Sequence, residues 1–189
     1  MDLFDLLTDD HRVISRTLDA LDGFLSRVER GAELDLVELN RFVVFLREFV
    51  ELAHQEREEH ILFPAMARLG YAKHGAPIAH IHQEHLREHQ ILFEIRQLAV
   101  RGGPMSSTNR AKLIGLLREV AAFDREHLRK ENELLYPAVQ KELSGKSLED
   151  VSQDLWRGEE APRRLVEDAW LRTLSDELVR AHAPAPTAG

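Results

Sequence analysis

The sequence predicts an all-α fold: an up-down-up-down antiparallel four-helix bundle with extra C-terminal helices. Three observations carry that prediction. Apolar residues recur with a period of 3.6 over four long stretches, and almost no stretch alternates with period two. Glycine and proline separate the four stretches by short connections, which favours antiparallel neighbours. At 189 residues and 43% hydrophobic content, the chain can bury one core.

The first helix is expected from about Thr8 to Arg30, ending at Gly31, with Ile14, Leu18, Leu21 and Leu25 on its apolar stripe. Thr8 or Asp9 could cap it, and Phe4 and Leu7 extend the stripe backwards. The second starts near Asp35 and reaches Leu69, with a stripe of Val43, Leu46, Val50, Ile61, Leu62 and Ala65. Pro64 should bend or interrupt its last turns. The third opens after Gly75, with Pro77 suited to a first turn, and runs to about Arg101, where Gly102, Gly103 and Pro104 break it. The fourth begins after Ser106 or Ser107 and reaches about Leu143, with Leu113, Leu116, Val120, Phe123, Leu134 and Leu135 on its stripe. Residues 1–143 thus form the bundle, and residues 144–189 a C-terminal helical extension with a disordered Pro/Ala-rich end from about His182. Two shorter helical patterns lie in the extension, Leu148 to Trp156 and one starting near Pro162, and should pack outside the bundle with Trp156 and Trp170 as anchors.

A net charge of −8 argues against nucleic acid and anionic membrane surfaces as partners. No apolar run approaches the roughly 18 residues that span a bilayer. Met1 to Leu7 carries Asp2 and Asp5 and lacks the pattern of a signal peptide, so a cytoplasmic protein is expected. With no cysteine, any metal must be held by histidine, carboxylate and water.

Two stretches repeat each other 73 residues apart. In one, His54 and Glu58 precede Leu62, Phe63 and Pro64; in the other, His127 and Glu131 precede Leu135, Tyr136 and Pro137. Residues four apart share a helix face, so each stretch offers an imidazole beside a carboxylate, as a helix presents metal ligands. Composition alone gives roughly two His-x-x-x-acid pairs by chance, and His80 with Glu84 is a third. The information lies in the matched tails and in the placement of the pairs along the core stripes. A charged Glu on a buried face is costly unless paired or metal-bound.

The third helix adds His85 and His89 on its core face, and the first adds His11. His82, three before His85, competes with His89 as the second ligand from that helix. His11 precedes His54 by 43 residues and His85 precedes His127 by 42, and each is preceded by an acid, Asp10 or Glu84. The chain reads as a duplicated helix pair. Five histidines and two carboxylates exceed one tetrahedral zinc. They suit two ions of higher coordination number bridged by the carboxylates and by a solvent oxygen, with iron favoured and manganese or zinc possible.

His11, His54-x-x-x-Glu58, His85-x-x-x-His89 and His127-x-x-x-Glu131 together resemble the ligand set of the hemerythrin family, also called HHE cation-binding domains, over about residues 8 to 142. The Phe63-Pro64 and Tyr136-Pro137 tails are similar to its bacterial members. The resemblance implies a non-haem centre of two Fe ions, oxo- or hydroxo-bridged. It implies that His85, His89 and His127 hold one iron, that His11 and His54 hold the other and leave an open position, and that Glu58 and Glu131 bridge. Oxygen carriers of the family usually have Asp five residues after the last His; here that place is Asn132, as in non-carrier bacterial and regulatory members.

The function expected from this is binding or sensing of O2, NO or peroxide by a monomer or homodimer. The alternative is a di-iron oxidoreductase, most plausibly a peroxide-decomposing one. Iron storage has less support, because nothing suggests a cage.

Overall fold

A computed structural model of the chain describes residues 2–72, 75–99, 105–143, 145–154 and 161–182. Among the described residues there are six helices and no strand. Helix α1 is Leu3–Glu29. Helix α2, residues 36–68, runs without a break through Leu36–Phe45, Leu46–Gln55, Glu58–Leu62 and Phe63–Arg68. Helix α3 is Ile78–Ala99. Helix α4, residues 107–142, joins Ser107–Lys130, Glu131–Leu135 and Tyr136–Glu142. Helices α5 (Lys146–Asp154) and α6 (Ala161–His182) follow. The first four form the expected all-α bundle: α1 packs on α2 and α4, and α3 on α2 and α4.

The helix ends follow local chemistry. α1 starts earlier than expected, because Asp2 accepts a hydrogen bond from Asp5 N while the Asp5 side chain accepts one from Asp2 N. Phe4 and Leu7 are therefore helical core residues, and neither Thr8 nor Asp9 is a cap. Asp35 caps α2 and Ser106 caps α4 through their side chains. Gly31, at φ 106°, and Gly70, at φ 99°, turn the chain after α1 and α2. Gly102, Gly103 and Pro104 lie outside the described residues.

Neither proline breaks its helix. Instead the helix widens just before it, in the π-helical stretches Glu58–Leu62 and Glu131–Leu135. Phe63 N donates to Glu58 O and Tyr136 N to Glu131 O, each five residues back. A proline donates no N–H and crowds the carbonyl four residues earlier, which favours a wider turn at these two places; the longer π-helical stretch Leu46–Gln55 contains no proline. A widened turn absorbs one extra residue, so the buried stripe slips by one. Leu134, expected in the core, is 65% exposed, while Leu135 and Val139 are buried. On an unbroken α-helix Tyr136 would stand about 180° from His127; here it is buried.

Two apolar clusters fill the bundle. One contains Leu3, Leu7, Leu62, Met66, Ile81 and Val139; the other contains Ile14, Leu18, Phe42, Leu46, Ile95 and Leu117. Every ligand-bearing helix passes from one cluster to the other, and the titratable side chains fall between them. α6 docks on α1 and α2, burying Leu171, Leu174 and Leu178 in the larger cluster. Trp170 is 55% exposed rather than an anchor, and His182 is buried at the end of α6. Trp156 and the tail from 183 lie outside the described residues.

Pro64→Ala and Pro137→Ala restore an N–H at exposed positions, so each should let the helix tighten and turn its glutamate away. The expected result is an unchanged or higher melting temperature with about tenfold weaker metal binding, read by calorimetry and by competition with a chelator. Wild-type metal affinity in both variants would contradict this role for the prolines.

Candidate metal centre

Between the two apolar clusters, four helices aim imidazole and carboxylate groups at one another. One donor atom from each of His11, His54, Glu58 and Glu131 lies within 4.8 Å of the others. The same is true of Glu58, His85, His127 and Glu131. All six residues are buried, and both carboxylates belong to both groups. His11 Nε2 is 3.1 Å from His54 Nε2 and 3.3 Å from Glu131 Oε2. His85 Nε2 is 3.2 Å from Glu58 Oε2, and His127 Nε2 is 3.0 Å from Glu131 Oε1. His54 Nε2 stands 3.9 Å from Glu58 Oε2.

Three of the imidazoles turn Nε2 inward and Nδ1 outward to an acceptor. His85 Nδ1 meets Glu59 Oε1 at 2.7 Å, His127 Nδ1 meets Glu84 Oε2 at 2.8 Å, and His11 Nδ1 meets Asn132 Oδ1 at 2.9 Å. His54 Nδ1, 3.6 Å from Asp10 Oδ2, makes no hydrogen bond and feels that carboxylate through its charge. An acceptor behind Nδ1 fixes the tautomer that leaves Nε2 free to bind metal. The repeat extends to these supports: Asp10, before His11, backs His54, and Glu84, before His85, backs His127. Lys130 Nζ holds the other oxygen of Glu84 at 2.5 Å.

The unpaired atoms point to a cation. Glu58 Oε2, His85 Nε2, His127 Nε2 and both oxygens of Glu131 are buried without a well-formed hydrogen bond; their nearest charged neighbours are one another and His11, at 3.0–3.3 Å. A buried polar atom left unpaired costs about 1–3 kcal/mol, a cost that a bound cation would remove. Burial alone would lower the pKa of the His85 imidazole, but the carboxylates of Glu58 and Glu59 outweigh it and raise it to about 9. The same contest, won by Glu131 and Glu84, holds His127 well above the ordinary histidine range. Protons thus stand in for cations among these side chains.

Tyr136 enters the site from α4. Its ring stacks on His11 with centroids 5.1 Å apart, and its hydroxyl lies 3.1 Å from His11 Nε2 and donates to Glu58 Oε1 at 2.5 Å. Burial, then the charges of Glu131 and Glu58, raise this phenol well above its usual range. Phe63, its counterpart in the repeat, stacks on His85 at 6.1 Å. The widened turn brings both aromatic residues inward, which a regular helical wheel does not foresee.

His89, the seventh expected ligand, stands apart from both groups. Its Nε2 lies 3.2 Å from Gln55 Oε1 and 3.6 Å from Glu51 Oε1, on a half-buried ring. The buried stripe of α3 runs through Ile81, Glu84, His85, Glu88, Leu92 and Ile95, so its centre lies to the other side of His85. His82 is also outside, 3.8 Å from Glu59 Oε2, and His74 is not among the described residues. Glu88 holds the buried position next to His89, and Asp124 is buried on α4. Glu88 Oε1 and both oxygens of Asp124 have no partner, while Gln55 Nε2 donates to Glu88 Oε2. Spacing gave no reason to single these two acids out.

A groove of about 660 Å³ between α1 and α4 has His11, Asn132 and Tyr136 in its lining, with Arg12, Arg16 and Asp19 beside them. It is a route from solvent to the His11 side of the centre.

A family model, the hemerythrin HHE cation binding domain, matches residues 2–139 and again residues 76–183. The chain belongs to this family. The second match begins just before α3 and runs through α6. Membership and the two His/Glu groups make it a cation-binding helical protein. No curated protein and no solved structure matches the chain. No helix among the described residues is long and apolar enough to cross a membrane.

Burial pushes Glu88 up to about 7 against the pull of the His127 and His85 imidazoles, while an unfolded Glu ionises near 4.5. Between those values the folded metal-free chain keeps a proton that the unfolded chain has lost. Its stability should therefore fall as pH rises through that window and stay lower above it. Glu88→Gln cannot ionise, so its stability relative to wild type should climb from pH 4.5 to 7 and then level off, by a few kcal/mol at most. Urea denaturation of both proteins across this range checks it; parallel curves would contradict it.

Proposed function

We propose that this protein holds two iron ions in His11, His54, Glu58, His85, His127 and Glu131, and binds O2, NO or peroxide there. The observation that carries the reading is the pair of His/Glu groups that share both carboxylates. Two groups joined in this way would hold two neighbouring ions, with Glu58 and Glu131 available to both. Imidazole and carboxylate without thiolate suit iron. When bound, iron would supply the redox chemistry that a small oxidant needs.

The side chains do the rest. The two apolar clusters exclude bulk water, which strengthens every electrostatic contact inside. Glu59, Glu84 and Asn132 keep three of the imidazoles oriented, and Asp10 places its charge beside His54. The groove beside His11 and Tyr136 favours arrival of the small molecule on the His11/His54 side. At that side Tyr136 keeps its proton on the hydroxyl and aims it at Glu58 Oε1, so a hydrogen-bond donor is already in place beside the position a ligand would take. His89 remains at the rim in this assignment.

The second reading, a peroxide-decomposing di-iron oxidoreductase, is favoured by one observation. Tyr136 carries a proton aimed at Glu58 Oε1 within the centre, and breaking an O–O bond consumes protons.

Anaerobic loading with ferrous iron, then O2, then its removal, separates the readings by absorption. A visible band that appears with O2 and vanishes on deoxygenation is the expected result for a reversible binder. Immediate, irreversible oxidation with turnover of added peroxide would replace the first reading by the second. His54→Ala should abolish the O2 response; a full response with full iron content would contradict the assigned entry side.

A further inference from the structure

Asp10 is a fully buried carboxylate that neither metal-holding group includes. Its Oδ2 accepts a hydrogen bond from Arg57 Nη1 at 2.7 Å and lies 3.6 Å from His54 Nδ1, while its Oδ1 accepts from Arg172 Nη2 at 2.5 Å. Arg57 reaches on to Asp168, and Arg172 also holds Asp9 at 2.7 Å, with its guanidinium 5.4 Å from the centroid of the Phe49 ring. Asp168 and Arg172 both belong to α6. The C-terminal helix thus supplies one of the two cations on Asp10, and the acid that shares the other.

Docking does not need this network. Leu171, Leu174 and Leu178 are buried, each worth roughly 1.5–3 kcal/mol. Ser175 and Thr17 hydroxyls meet at 2.7 Å, and Arg16 pairs with Asp176 at 2.7 Å nearer solvent. Two guanidiniums on a single carboxylate behind a metal-facing imidazole call for a different explanation.

We propose that α6 is a working part of the metal centre: Arg172, acting through Asp10, sets the charge felt by His54 and so the reduction potential of the iron held there. The inference rests on the iron centre proposed above. The negative charge of Asp10, 3.6 Å from His54 Nδ1 and not hydrogen-bonded to it, makes that imidazole a stronger electron donor. Guanidinium groups on the same carboxylate compete for its charge and weaken the effect. Removing Arg172 frees Asp10, strengthens donation from His54 and takes a positive charge from the neighbourhood. All three favour the oxidised metal, so the potential moves negative. Arg172 is a positioning residue and touches no metal.

The test uses the full chain, reconstituted with ferrous iron, with iron counted before potentials are measured by spectroelectrochemical titration. Arg172→Gln should keep the iron and shift the potential negative, and Arg172→Lys should restore most of the shift. Asp168→Asn leaves Arg57 wholly to Asp10 and should shift it positive. Arg41→Gln loosens the α2–α6 contact with Glu177, away from Asp10, and should leave it unchanged. Unchanged potentials in iron-loaded Arg172→Gln and Asp168→Asn, shifts of the same sign in both, or an equal shift in Arg41→Gln would overturn the inference. A wild-type protein that binds no iron would overturn the centre itself, which is a different result from an iron-loaded protein with an unmoved potential.

Discussion

Charge in a dry interior is what the structure has to answer for. Four imidazoles and two carboxylates sit between two apolar clusters, all buried, with several atoms lacking any partner. Water cannot solvate them there, and their mutual contacts satisfy only some of their capacity. A bound cation would complete the arrangement, with Glu59, Glu84 and Asn132 orienting three imidazoles and Asp10 beside the fourth. The bundle contributes rigidity: each ligand stands on a long helix anchored at both ends by packed leucines and phenylalanines.

The internal repeat is carried through several levels. The same His-x-x-x-Glu spacing occurs on α2 and α4, the same proline follows, and the same widened turn results. The aromatic residue before each proline then stacks on a histidine of the neighbouring helix, Phe63 on His85 and Tyr136 on His11. The acids before His11 and His85 each support a histidine of the next helix. Where the copies differ, the centre becomes asymmetric. Tyr136 has a hydroxyl and Phe63 has none, and the groove opens on the Tyr136 side. Chemistry that needs one accessible metal and one enclosed metal can use that difference.

Much of the fold was legible because helices announce themselves through periodicity and punctuation. Asp35, Ser106, Gly31 and Gly70 stop or start helices as their chemistry dictates. Asp2 was missed as a cap because the stripe, rather than the capping box, set the expected start of α1. Six of the seven expected ligand residues come together, since i and i+4 share a face whether the turn is regular or widened. His89 does not join them, because one histidine pair on α3 cannot tell which side of the stripe faces the core; Glu88 settles that by being buried. Tyr136 and Phe63 read from the sequence as core residues closing the end of the bundle, and both are buried; the place of Tyr136 beside His11 and the burial of Val139 were harder to read. A widened turn shifts every later residue by one position, and a wheel drawn at 100° per residue carries no such shift. The share of α6 in the site depends on contacts more than 100 residues apart in sequence, between Asp10 and Arg172, which no local pattern encodes.

Crystals of the iron-loaded protein, with anomalous diffraction measured on both sides of the iron absorption edge, test the central claim most directly. The account predicts two iron peaks between the apolar clusters, with Glu58 and Glu131 touching both, His11 and His54 on one and His85 and His127 on the other. A single peak, no peak, or two peaks that do not share the two glutamates would contradict it.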